Sequence, residues 1–173
     1  MSKVSIDIST FEAVIFDVDG VLSQITIPMG PDGVPQRTVN VRDGYAIKTA
    51  IEKGIVVGII TGGYSENLPK RYESLGMKHI YMKVPYKIEA LRDFISRTGI
   101  SAEKIIYVGD DLPDIEVMQY CGFSVAPADA APEVKAIAKY ISPVCGGMGV
   151  ARDILEELLK VKHLWMNEAA FGW

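Results

Sequence analysis

The residues best suited to chemistry are carboxylates that directly follow short apolar runs. Asp17-Val18-Asp19-Gly20 comes after Ala13-Val14-Ile15-Phe16, and Gly109-Asp110-Asp111, with Asp114 one helical turn on, comes after Ile105-Ile106-Tyr107-Val108. Residues i and i+2 of an extended chain point to one side, so Asp17 and Asp19 can face one pocket. A third run, Ile55-Val56-Val57-Gly58-Ile59-Ile60, stops at Thr61-Gly62-Gly63, which sets a hydroxyl beside backbone N–H groups that no bulky side chain covers. Lys87 opens the helical stretch between the second and third of these runs. Each feature alone has an ordinary explanation: a turn after a strand, a loop, an acidic helix start that suits the macrodipole, a surface lysine. In this order they describe one chemistry. Carboxylates crowded at one edge repel each other, and a hard divalent cation removes the conflict. Mg²⁺ takes oxygen ligands, uses one or two carboxylates and leaves positions for water and phosphate. With a lysine, a hydroxyl and open N–H groups it makes a phosphoryl cradle, in which one carboxylate can attack phosphorus and a second can move the proton.

Such a cradle needs elements that bring distant residues to one edge. The three apolar runs are short, rich in β-branched residues and end in turn residues, so they read as strands buried on both faces. Between them lie helical periods, Ile47, Ala50 and Ile51, then Ile88, Leu91 and Ile95, and near the end another, Ile154, Leu155, Leu158 and Leu159. Pro69 places the start of the helix after Thr61 near Asn67. Alternating strand and helix predicts an α/β fold, a doubly wound Rossmann-like parallel sheet with helices on both faces, whose ligands sit at the carboxyl ends of the strands. Residues 24–41 break the alternation. They carry β-branched residues around Pro31-Asp32-Gly33 and predict an inserted β-hairpin. The tail, residues 163–173, holds Trp165, Phe171 and Trp173, which is more aromatic surface than a free end carries, so it is expected to pack against something.

Composition bounds the rest. The 173 residues suit a single domain, and 18 basic against 22 acidic side chains give a net charge of −4. That balance argues against nucleic acid or an anionic membrane as partner. No apolar run reaches the length of a membrane span, and the first ten residues lack the apolar core of a signal peptide. Cys121 and Cys145 form no Cys-x-x-Cys and fit a reducing cytoplasm. His79 and His163 are isolated and are assigned no site role.

On Asp17-Val18-Asp19-Gly20-Val21-Leu22, Ile60-Thr61-Gly62-Gly63, Lys87 and Gly109-Asp110-Asp111-Leu112-Pro113-Asp114, the chain resembles the haloacid dehalogenase-type phosphohydrolases over nearly its whole length. The resemblance implies Asp17 as nucleophile and Asp19 as general acid/base. It implies a phosphoryl group held by Thr61 and the Gly62 N–H and neutralised by Lys87. Mg²⁺ would be held by Asp17, Asp110 and the backbone carbonyl of Asp19, with Asp111 and Asp114 supporting the metal or Lys87 from behind. Only 44 positions separate Asp17 from Thr61, and 26 separate Thr61 from Lys87, so neither gap holds the cap domain many members carry.

The inserted segment, Val39-Asn40-Val41-Arg42-Asp43-Gly44 and Gly146-Gly147-Met148-Gly149-Val150-Ala151-Arg152 further resemble the capless phosphatases of 3-deoxy-D-manno-octulosonate 8-phosphate, which serve lipopolysaccharide synthesis. That resemblance implies a cytoplasmic homotetramer joined through the hairpins, each tail covering a neighbour's site. Arg42 is then the expected contact for the sugar-acid carboxylate, since a guanidinium fork matches it. Two departures stand out: Ser23-Gln24 where the family often has Thr-Asp, and Gly63 where many members have Arg. Arg71 on the next helix is expected to supply that charge. The alternatives are the same chemistry on a nine-carbon 9-phosphate and, remotely, a phospho-receiver module.

Overall fold

The structure is a computed structural model and describes residues 4–166. Six strands, β1 (Ala13–Phe16), β2 (Val56–Ile60), β3 (His79–Tyr81), β4 (Ile105–Val108), β5 (Phe123–Ala126) and β6 (Tyr140–Ile141), form one parallel sheet in the order β3-β2-β1-β4-β5-β6. Five helices connect them, α1 (Val41–Glu52), α2 (Asn67–Glu73), α3 (Lys87–Thr98), α4 (Ile115–Tyr120) and α5 (Pro132–Ile137), and α6 (Val150–Val161) follows β6. The predicted α/β fold, its three central strands and the start of α2 are all observed. Among the described residues no helix is long and apolar enough to cross a membrane.

The continuous apolar runs follow from burial on both faces. In β1 every side chain is buried. Val14 and Phe16 join the core formed with α1, α2 and α6, while Ala13 and Ile15 join the one formed with α3, α4 and α5. That split is the two-residue period of a strand. The helical periods meet it: Ile47 and Ala50 of α1 and Ile154, Leu155, Leu158 and Leu159 of α6 line the first core, Ile88 and Leu91 of α3 the second. Asn40 caps α1 by accepting from the backbone N–H groups of Arg42 (2.9 Å) and Asp43 (3.3 Å). After β1 the chain builds β2 and β3 on one side, then returns to set β4 on the other. The reversal opens a crevice between the carboxyl ends of β1 and β4, where such sheets bind ligands.

Residues 24–41 take a reduced form of the expected hairpin. The turn at Pro31-Asp32-Gly33 closes, with Gly33 N–H donating to the Gly30 carbonyl (2.9 Å) and Gly30 N–H to that of Val34 (2.9 Å). A single antiparallel bridge, Met29 to Pro35, stands where a ladder was expected. Pro28, Pro31 and Pro35 each lack an N–H, which leaves too few donors for a ladder. The base is clasped instead by side chains: Thr38 N–H donates to Ser23 Oγ (3.0 Å) and Gln24 N–H to Thr38 Oγ1 (3.2 Å). Of the tail, Trp165 packs edge-on to Tyr45 at 6.1 Å and under the Arg152 guanidinium at 4.6 Å. Arg152 lies in the first turn of α6, so the chain has doubled back along that helix toward the functional edge of the sheet. Phe171 and Trp173 lie outside the described residues.

Candidate active site

The crevice holds the acidic residues around one buried lysine. Lys87, the first residue of α3, places Nζ 2.9 Å from Asp17 Oδ2 and 2.6 Å from Asp114 Oδ1. Asp114 is fully occupied in this role. Its Oδ1 also accepts from the Tyr107 hydroxyl (2.9 Å), and its Oδ2 accepts from the backbone N–H groups of Asp110 (3.1 Å) and Asp111 (3.4 Å). Asp17 Oδ1 accepts from Val18 N–H at 2.7 Å. Asp110 differs: its Oδ1 is buried and has no hydrogen-bond partner. Thr61 is buried at the end of β2, its Oγ1 accepting from Gly63 N–H (3.1 Å). At Gly62 an added Cβ would meet only the Val84 carbonyl, at 3.6 Å, so the backbone there lies open to the pocket. Asp17, Asp19, Thr61, Gly62, Lys87 and Asp110 line a cavity of about 380 Å³, with Gly63, Asp111 and Asp114 at its wall.

The electrostatics describe a site suited to a further positive charge. Burial, then the Asp114 charge, outweighs Lys87 and lifts Asp17 to about 6. Burial, then Asp17 and Asp114, lifts Asp110 to about 8. Burial pushes Lys87 down, but Asp114 and Asp17 more than offset it, so its pKa is raised and the ammonium persists. Oxygen atoms of Asp17, Asp110 and Asp114 lie within 4.8 Å of one another. Both Asp114 oxygens are already bonded, whereas Asp110 Oδ1 is not. The Asp19–Gly20 peptide also crowds the Asp110 carboxylate: Gly20 sits at φ +83°, and a Cβ there would collide with it. The all-oxygen donor set and the orphaned buried oxygen fit a hard cation held by Asp17, Asp110 and the Asp19 carbonyl, with Asp114 behind it.

A profile of the haloacid dehalogenase-like hydrolases matches residues 79–154. The 3-deoxy-D-manno-octulosonate 8-phosphate phosphatase KdsC of Escherichia coli K12 is 42% identical over 145 residues, 84% of this chain and 77% of that protein. The chain belongs to the 3-deoxy-D-manno-octulosonate 8-phosphate phosphatase family. It is therefore a phosphoric monoester hydrolase. Solved members of the family superpose closely. The Yersinia pestis phosphatase matches with a TM-score of 0.87 at 36% identity, covering 91% of this chain and 85% of that one. The Moraxella catarrhalis phosphatase, solved in complex with a magnesium ion, a phosphate ion and a KDO molecule, matches with a TM-score of 0.86 at 30% identity, covering 90% of each chain.

Within this member of the family the expected chemical residues converge, but the expected substrate contacts divide. Arg42 is exposed on the first turn of α1 and does not line the acidic cavity. Arg71 lines a second cavity of about 380 Å³, together with Ser65, Asn67 and Tyr72. Arg37, which the sequence reading passed over, also lines this second cavity and reaches across to the first. Its Nε and Nη2 donate to the two carboxylate oxygens of Asp19 at 2.7 and 2.8 Å. The available signal was that Arg37 is the single basic residue of positions 24–41.

Proposed function

We propose that this chain is a Mg²⁺-dependent phosphatase of 3-deoxy-D-manno-octulosonate 8-phosphate, acting through an aspartyl-phosphate. The observation that carries the reading is the buried, unpartnered Asp110 Oδ1 beside Asp17 and the Asp17–Lys87–Asp114 ion pairs at the β1/β4 crevice. Asp17 Oδ2 attacks phosphorus, the ester oxygen departs, and Asp19 gives that oxygen its proton. Water then attacks the phosphorus of the acyl phosphate, Asp19 takes the water's proton, and free Asp17 and inorganic phosphate result. Thr61 and the open backbone at Gly62 receive the phosphoryl oxygens, and Lys87, held by Asp114, balances their charge. Asp17, Asp110 and the Asp19 carbonyl would hold Mg²⁺, which would supply the remaining positive charge and favour the ionised form of Asp17.

The cationic cavity lined by Arg71 adjoins this cradle and suits the carboxylate end of the substrate better than Arg42 does. The molecule works as a cytoplasmic homotetramer. Ile25, Met29, Val34 and Val39 of the inserted segment are exposed apolar side chains in need of cover. A purified sample assayed against eight- and nine-carbon sugar-acid phosphates, with Mg²⁺ and with excess chelator, tests the reading. Preferred, chelator-sensitive hydrolysis of the eight-carbon 8-phosphate is expected. Preference for a nine-carbon 9-phosphate, or full activity in chelator, would overturn it. Sedimentation as an active monomer at micromolar concentration would remove the tetramer.

A further inference from the structure

Arg37 comes from a proline-rich segment with no regular secondary structure, yet its guanidinium is held by three hydrogen bonds to two partners. Nε and Nη2 form a side-on fork with both oxygens of Asp19. Nη1 donates to the Tyr64 carbonyl at 3.0 Å, in the loop that carries Thr61 and Gly62. The side chain is only 10% exposed, against 38% for that of Asp19. So the arginine is packed away while part of the carboxylate still faces the cavity. The backbone at 37 is set by the neighbouring Thr38–Ser23 clasp. Space for the guanidinium exists because residue 63 has no side chain. A Cβ on Gly63 would collide with Arg37 Nη2 and come within 3.1 Å of Asp19 Oδ2.

We propose that Arg37 is a positioning residue for the phosphatase reaction: it aims the Asp19 carboxylate at the phosphoryl cradle, and Gly63 is bare so that it can. An Asp side chain that is more than a third exposed swings freely about two torsions. A guanidinium fork fixes both its oxygens in one plane, a constraint that a lysine point charge does not impose. The fork uses two of the roughly four acceptor positions of the carboxylate and leaves the others for a proton in flight. The inserted segment thus completes the site within its own subunit.

The proposal rests on the reading of Asp19 as proton carrier, and the test separates the two. Arg37→Ala, Arg37→Lys and Gly63→Ala are compared with wild type on p-nitrophenyl phosphate and on the sugar-acid phosphate. With the aryl ester the leaving group needs no proton, so kcat/KM reports attack by Asp17, while kcat reports hydrolysis of the aspartyl-phosphate, which needs Asp19. Arg37→Ala should lower kcat on the aryl ester by about tenfold or more. Its kcat/KM there should stay within about threefold of wild type, so KM falls in step. On the sugar-acid phosphate, whose alkoxide must be protonated, kcat/KM should fall by about tenfold or more. Arg37→Lys should resemble Arg37→Ala. Gly63→Ala should move the same way and add nothing in the Arg37→Ala background. Equal losses of kcat/KM on both substrates, a raised KM with unchanged kcat, or a wild-type Arg37→Lys would overturn the proposal. If Arg37→Ala fails to fold by circular dichroism, Arg37→Lys and Gly63→Ala decide. If wild type cleaves aryl esters but not the eight-carbon substrate, the substrate assignment falls while the aryl comparison still judges Arg37. No phosphatase activity at all would overturn both.

Discussion

Asp17 must be ionised to attack phosphorus, yet it sits where ionisation is costly. Burial and the Asp114 charge raise it to about 6 and, with Asp17 as a further cause, Asp110 reaches about 8. A cation must displace those protons to bind. Mg²⁺ affinity should therefore strengthen as pH rises from about 6 to about 8 and level off above, with proton release that calorimetry in buffers of different ionisation enthalpy can count. The same shifts act on the metal-free fold. A carboxylate whose pKa is raised by folding favours the folded state most at low pH, and that advantage is lost as pH rises through the folded value. Chelated protein should thus melt at progressively lower temperature between about pH 5 and 8, and added Mg²⁺ should restore more of the melting temperature at pH 8 than at pH 6. Asp17→Asn should cost more than about a hundredfold in kcat, because an amide is neither a nucleophile toward phosphorus nor a good ligand for a hard cation. Residual activity above about one per cent in the folded variant would contradict the covalent route.

At the scale of elements, α1 and α6 are joined by a contact away from the chemistry. Asp43 in the first turn of α1 is buried and accepts from the Arg152 N–H of α6 at 2.7 Å, while its other oxygen, Oδ2, has no hydrogen-bond partner. Burial outweighs the Arg152 contacts and lifts this carboxyl to about 6. The sign again follows: burying this carboxyl costs stability progressively as pH rises from about 4 to about 6, and the full cost stands above that. Asp43→Asn keeps the acceptor without the charge, so it should melt above wild type at pH 8, by something on the order of 1–3 kcal/mol, and the difference should vanish near pH 4. A constant difference across that range, read from paired thermal melts, would show that the effect is packing and not ionisation.

For the molecule as a whole, what was legible in the sequence was whatever burial forces on residue type. β1 and β4 lie under helices on both faces, so their runs are unbroken and the polar residues that end them stand out. β3 is partly exposed throughout, β5 carries Ser124, and β6 has two residues, so none offers a run long or apolar enough to notice. Asp17, Thr61, Lys87 and Asp110 sit at element ends, where the fold class alone determines their neighbours. Arg37 does not. Its partner depends on the path of a segment whose prolines block the expected ladder, and on the missing side chain at Gly63. Arg42 shows the converse: its residue type suits a carboxylate, but it stands exposed on the first turn of α1, outside the lining of the acidic cavity.

The sheet order also sets a timetable for synthesis. β1 ends at Phe16, yet its β4 neighbour begins only at Ile105, and α6, which covers the first core beside α1, begins at Val150. At roughly 5–20 residues per second, one side of β1 waits on the order of 4–18 seconds for its partner. During that time an apolar four-residue strand keeps an unpaired edge, the kind of template that favours misassociation. The crevice cannot form on a nascent chain until β4 and Asp114 have emerged, and the first core stays uncovered until α6 follows, so stable folding comes late. Ribosome-bound chains ending at residue 149 should therefore remain protease-sensitive, and those carrying α6 free of the exit tunnel should become resistant. Early protection of the shorter chains would mean that the first half of the sheet is stable alone.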